Sequence, residues 1–296
     1  MFPVLKKLAG FYNYYVLVIL TLGYLTAELG HFLIGVTSKA TAIDILYGDI
    51  TCQLNKTEPH FNLTLNDLCV AAIDEASCAD LTLDDGERFC EWNRNGLGID
   101  YQLLAGPSFI AVYTIVGVFL GIAADKYRRV PMIAICVLVC GISVVLMGAT
   151  QTFWQLIILR MIFAAGEAGL NPMSTGVLSD LFSEDLRGLV MSIFNWGIYG
   201  GIGLSFPVGR YITELNAWDL GWRVAYYGSG IVALIIGALT CTTLKEPPRT
   251  EIGEETEENA DQIGQSAEEI KKKKENPWKV MLQPRFIMLC IAASIR

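Results

Sequence analysis

The stretch FLGIAADKYRRVPMI, Phe119 to Ile133, places Asp125, Lys126, Arg128 and Arg129 within five residues, between an apolar run that ends there and another that begins almost at once. A charged block this short between two long hydrophobic segments is what a tight turn between two bilayer-crossing helices requires. The rest of the chain has to agree with that reading.

Composition agrees. Of 296 residues, 53% are hydrophobic and 18% charged, the mean hydropathy is +0.43, and soluble domains carry roughly 25% charged residues. This balance excludes a water-soluble enzyme. The charges gather in blocks, and the segments between them have the length of membrane spans: Tyr14 to Val36, Leu103 to Ala124, Pro131 to Ala149, Trp154 to Val177, Gly188 to Val208 and Val224 to Leu244. Phe286 to Ile295 is the start of a seventh. The first segment is too long for the hydrophobic region of a signal peptide and lacks its cleavage site, so it stays as the first span. In lipid, helices satisfy all their backbone groups internally, so the fold class is all-α, a polytopic membrane protein.

Lys6, Lys7, Lys126, Arg128, Arg129, Arg187, Lys245, Arg249 and Lys271 to Lys274 all fall on one side of these spans, with fewer cations opposite. The positive-inside bias makes that side, and the N-terminus, cytosolic. The loop over residues 37–100 is then extracellular or lumenal. It carries Cys52, Cys69, Cys78 and Cys90, and the glycosylation acceptors Asn55 and Asn62, both of which suit that face. Four cysteines permit three pairings, and free thiols are the alternative. Cys136, Cys140, Cys241 and Cys290 fall in apolar segments and are read as small buried hydrophobes.

The expected organisation is a six-helix half over residues 1–249, a Glu-rich then Lys-rich cytosolic linker over 250–282, and the start of a second half over 283–296.

Gly121, Asp125, Lys126, Arg128 and Arg129 together resemble the signature loop between the second and third helices of the major facilitator superfamily, with Arg128 where that family usually has glycine. LRMIFAAGEAG, Leu159 to Gly169, is similar to its fourth helix, and NWGIYGGIGLSFPVG, Asn195 to Gly209, to its fifth. Gly166 to Arg249 resembles the spinster-like branch, which is associated with export of lysolipids and sphingoid lipids; the long cysteine-bearing loop departs from it. The resemblance implies the six-helix N-terminal bundle of a twelve-helix fold plus a truncated seventh helix. It implies a secondary transporter working by alternating access, whose missing C-terminal half completes the substrate site. Its partners would be a small-molecule or lipid solute, protons and membrane lipids. The chain is expected to be an incomplete product, and a non-functional half-transporter is one alternative. A membrane organiser or receptor-like protein is another, although it leaves the signature loop unexplained.

Within that frame the signature loop reads as a conformational latch, with Asp180, Glu184 and Arg187 as complementary charge on the same side, or as solvated anchors. Glu28 and His31 lie three residues apart on one helix face, where they can exchange protons or form a structural pair. Arg160 and Glu167, seven apart, share a face too, where the guanidinium can bind an anionic headgroup, switch between carboxylates or form an internal ion pair. Asn195, Trp196 and Tyr199 are candidate cavity residues, and the glycines from Gly197 to Gly209, with Pro207, let helices approach and bend. There is no phosphate-binding Walker sequence, no His/Cys/Asp cluster at metal spacing in the cytosolic segments and no convergent catalytic set, so no enzyme activity, cofactor, metal or nucleic-acid partner is expected.

Overall fold

A computed structural model describes residues 2–54, 63–82, 88–215 and 219–248, with residue 288. The sequons at Asn55 and Asn62, Cys290, the linker and the remainder of the seventh segment lie outside the described residues.

The chain begins with α1 (Phe2–Ile45) and enters a small loop domain of β1 (Ile50–Leu54), α2 (Leu63–Ala71), α3 (Glu75–Ala79) and β2 (Cys90–Arg94). It continues through α4 (Ile99–Ala105), α5 (Pro107–Lys126), α6 (Arg129–Gly148), α7 (Phe153–Glu167), α8 (Leu170–Leu181), α9 (Glu184–Leu215) and α10 (Arg223–Thr243). Among the described residues, six runs are long and apolar enough to cross a membrane: Gly10–Ile45, Ile99–Lys126, Arg129–Gly148, Phe153–Leu181, Glu184–Leu215 and Arg223–Thr243. This is the multi-pass helical fold read from the sequence, and these elements all lie in one compact unit, Met1–Pro247.

Two spans are interrupted where the sequence reading had them continuous. Gly106 separates α4 from α5, and Pro107, which lacks an N–H, opens α5 where that group would be unused. Span four breaks between Glu167 and Leu170, at Ala168 and Gly169. By contrast α9 runs unbroken through Pro207 to Leu215, beyond the expected end at Val208.

Small residues set how the spans pack. One α9 stripe of Gly197, Gly201, Ser205 and Gly209 is buried. A Cβ on Gly201 would lie 2.6 Å from the Leu25 carbonyl oxygen, and one on Gly197 2.9 Å from that of Thr21, so α9 rests almost backbone to backbone on α1. The α6–α10 contact uses glycines on both helices: Gly141 faces Leu234, Gly230 faces Val145 and Gly237 faces Leu138. Cys136 and Cys140 are buried as expected, but Cys241 is exposed, because it lies on the outward side of α10.

The link between α5 and α6 is only Tyr127 and Arg128, both extended. At φ −65° and ψ 126° Arg128 adopts backbone angles open to any residue, which explains why no glycine is needed there.

At the opposite end of span two, the loop domain is stapled by Cys52–Cys78 and Cys69–Cys90. Its antiparallel ribbon, with Cys52 opposite Trp92 and Leu54 opposite Cys90, is the one strand pair among the described residues and was not read from the sequence. Asp74 caps α3, accepting from Ser77 N–H at 2.8 Å, and the Ser77 side chain together with that amide holds its carboxyl below the usual range. The ribbon is tied to the spans by Arg94, which donates to Gly48 O at 2.9 Å, and by Gly48 N–H, which donates to Asp100 at 2.9 Å. Gly48 has φ +78°, and any side chain there would also meet the Leu97 carbonyl. Nearby, Arg223 donates to Gly148 O, Thr150 O and Asp44, and Trp222 Nε1 also donates to Asp44.

Candidate functional site

Two groups of polar side chains stand out, one inside the helical bundle and one at the end that carries the signature loop.

The interior group sits mid-span. Glu28 is central in Gly10–Ile45, and Glu167 is central in Phe153–Leu181. The stripe of small residues on α9 makes room for it: Gly201 packs against Glu28 Cβ, where any side chain would clash at 2.6 Å. His31 Nδ1 lies 3.0 Å and 3.2 Å from the two carboxylate oxygens of Glu167, a contact between α1 and the last residue of α7. The ligating atoms of Glu28, His31 and Glu167 all lie within 4.8 Å of one another, with both carboxylates buried and the imidazole half-buried. Burying two carboxylates together among membrane-spanning helices is costly unless a cation or proton compensates.

Arg160 is 1% exposed. Its guanidinium carbon stands 4.5 Å from the Phe109 ring centroid and 5.5 Å from that of Phe163, at cation–π range. Its Nε and Nη1 have no hydrogen-bond partner among the described residues. The Phe109 ring also meets the His31 ring edge to face at 4.4 Å. The aromatic ring therefore touches both the guanidinium and the imidazole.

The pairing differs from the one expected. Helical spacing put Glu28 with His31 and Arg160 with Glu167 on shared faces; the structure keeps Glu28 and His31 within 4.8 Å, adds a His31–Glu167 contact across helices, and gives Arg160 no ion pair among the described residues. Spacing along one helix reports a shared face, whereas cross-helix partners depend on packing. Phe109 and Phe163 were missed because single aromatics in apolar spans give no signal of their own. Asn195, Trp196 and Tyr199 are exposed on α9, on a different side from the glycines that face α1.

At the other site, Arg129 Nη1 donates to Asp180 at 2.8 Å, joining α6 to α8. Gly176 makes this possible, since a Cβ there would lie 2.9 Å from Arg129 Nη1. Both carboxylate oxygens of Glu246 accept from the first amides of α6, Arg129 N–H and Val130 N–H, each at 2.8 Å. An acid at a helix N-terminus satisfies orphan donors and complements the helix dipole. Glu246 was not picked out as a site residue, although EPPR follows the sixth span; an acid beside a helix start was the available signal. Arg187 Nη2 donates to Ser179 O at 3.1 Å. Asp125, Lys126, Arg128 and Glu184 are exposed, and a Cβ on Gly121 would meet nothing within 4 Å.

Comparison with known proteins follows the same lines. A family model described as Major Facilitator Superfamily matches residues 8–295. Protein spinster homolog 1 of Homo sapiens is 30% identical over 146 residues, which cover 48% of this chain and 26% of that protein. The Sphingosine-1-phosphate transporter SPNS2 of Mus musculus is 27% identical over 199 residues, covering 65% of this chain and 32% of the relative. A crystal structure of a bacterial homolog to human lysosomal transporter spinster, inward-facing and occupied, superposes with TM-score 0.60 at 21% identity over 81% of this chain and 46% of that one. The unoccupied inward-facing form gives TM-score 0.59 at 20% identity. The matched part thus spans about a quarter to a third of these curated relatives.

Proposed function

The chain belongs to the Major Facilitator Superfamily, and from that premise we propose that it forms the N-terminal half of a secondary transporter that moves a lysolipid-like or sphingoid amphiphile by alternating access, coupled to protons. The observation that carries this reading is the buried mid-span group of Glu28, His31, Arg160 and Glu167. Secondary transporters place substrate and coupling-ion sites at such a depth, between two halves. Arg160 is suited to an anionic headgroup because two of its nitrogens lack partners. His31 and Glu167 are suited to pass a proton, one being a titratable imidazole 3.0 Å from a carboxylate.

The second half would cover spans two and five. Only 11% of the span-two window and 28% of the span-five window are buried, against 67% in span one. Trp196 and Tyr199, 75% and 72% exposed, would then line the interface or its cavity. Gly121 would admit a helix of that half, and Asp125 would meet that helix's N-terminus as the moving part of the latch. Arg129, Asp180, Glu246 and Arg187 would be its fixed frame. Charge asymmetry supports a cytosolic N-terminus, in the plasma membrane or an endosomal or lysosomal membrane, with Asn55 and Asn62 as glycosylation sites on the far side.

The test is transport of a radiolabelled lysophospholipid and of sphingosine phosphate by the full-length protein in proteoliposomes under an imposed pH gradient. Arg160→Ala and Glu167→Gln are each expected to lower transport about tenfold or more. Wild-type activity in both variants would remove the site, and rates indifferent to the gradient would remove proton coupling.

A further inference from the structure

Glu28, His31 and Glu167 also have the composition of a metal-binding set, and we propose that they hold one divalent transition-metal ion of the Zn2+ type. This goes beyond the transport reading and does not depend on it. Three donors converge from two helices: one imidazole nitrogen and two carboxylates, all within 4.8 Å of one another. Ligands about 2.1 Å from a tetrahedral zinc stand about 3.4 Å apart, and His31 Nδ1 is already 3.0 Å from Glu167 Oε2. Closing the set needs only a modest adjustment of Glu28.

The donor types select the ion. Ca2+ takes six to eight oxygens and Mg2+ demands octahedral oxygen coordination, whereas imidazole with carboxylates suits Zn2+ or a neighbouring first-row ion. Charge argues the same way. Two buried carboxylates lie together; the nearby buried guanidinium of Arg160 attracts Glu167 but forms no ion pair with either among the described residues, and its charge lies against the rings of Phe109 and Phe163. With a neutral imidazole the two carboxylates outnumber this one guanidinium, and a bound cation offsets the remaining negative charge. A dication neutralises both carboxylates, and the quarter-exposed His31 side chain opens the set to an entering ion. The only other convergent group among the described residues, Cys52, Cys69 and Cys90, is consumed by disulfides.

The experiment is titration of the purified full-length protein in detergent with zinc chloride at neutral pH, by calorimetry, followed by zinc-edge X-ray absorption on the loaded wild type. One saturable equivalent is expected. His31→Gln, Glu28→Gln and Glu167→Gln should each weaken it about tenfold or more, while His60→Ala and Cys241→Ser leave it unchanged. The absorption spectrum should show imidazole and oxygen ligands without sulfur. No saturable binding, binding unaffected by His31→Gln and Glu167→Gln, or sulfur in the first shell would each overturn the site. The spectrum needs no variant, so a misfolded mutant does not shelter the proposal. Because neither readout uses transport, failure here leaves the transport reading standing, and the converse also holds.

Discussion

Arg129 and Asp180 meet at 2.8 Å, and the pair locks the start of α6 against the end of α8, 51 residues further along the chain. Both side chains are mostly buried, so the pair is screened less than a surface bridge. Asp180→Ala leaves the guanidinium without its partner and is expected to destabilise the purified protein by about 1–3 kcal/mol. Arg129→Ala combined with Asp180→Ala should cost less than the sum of the two single changes. Thermal melts of the four proteins in one detergent test this double-mutant cycle; strict additivity would mean the contact carries no energy.

Glu246 gives a prediction of a different kind. Its carboxylate accepts from two backbone amides, so Glu246→Gln, which keeps one acceptor and removes the charge, should cost about 1 kcal/mol, and Glu246→Ala about 2 kcal/mol. Hydrogen exchange at Arg129 and Val130 should accelerate in that order. Equal exchange in all three proteins would show that the cap does not hold the start of α6.

The α9 glycines separate contact from composition. Gly201→Ala forces a Cβ to within 2.6 Å of backbone on α1 and should destabilise by about 2 kcal/mol or more. Gly203→Ala meets nothing within 4 Å and should be neutral or slightly stabilising, since alanine is the better helix former. The two substitutions are chemically identical and two residues apart, so matched melting temperatures would refute the α1–α9 packing.

The loop domain predicts both a mass and a pH response. Non-reducing peptide mapping should recover Cys52 linked to Cys78 and Cys69 linked to Cys90, and losing either bridge should cost the loop domain about 2–4 kcal/mol. Asp74 is held below the usual carboxylate range by its bonds to Ser77. A depressed folded value means that its contribution is complete above the unfolded value and fades as pH falls through the folded one. The cap on α3 should therefore survive mild acidification, with the Ser77 amide losing protection only in stronger acid. In Asp74→Ala that amide should be unprotected at every pH.

Much of this was legible in the chain itself. Spans announce themselves by length and hydropathy, and the block from Asp125 to Arg129 marks a turn because four charges within five residues are too costly to hold in the bilayer core. Arg160 and Glu167 drew notice because ionisable residues are rare inside spans. Their partners were not legible, because whether Glu167 meets Arg160 or His31 depends on how α1 lies against α7. The break at Ala168 and Gly169 was hidden because the apolar length of the span runs on across it, although Gly169 and Pro172 were weak local signals. Disulfide pairing was left open by arithmetic alone and required the ribbon that brings Cys52 and Cys90 onto neighbouring strands.

Arg223 has a mechanical consequence. By binding the last carbonyl of α6, the Thr150 carbonyl just beyond it and the Asp44 carboxylate beside Trp222, it ties the far rims of spans one, three and six into a single collar. A collar of this kind cannot open petal by petal. Movement at that rim therefore carries spans one, three and six together.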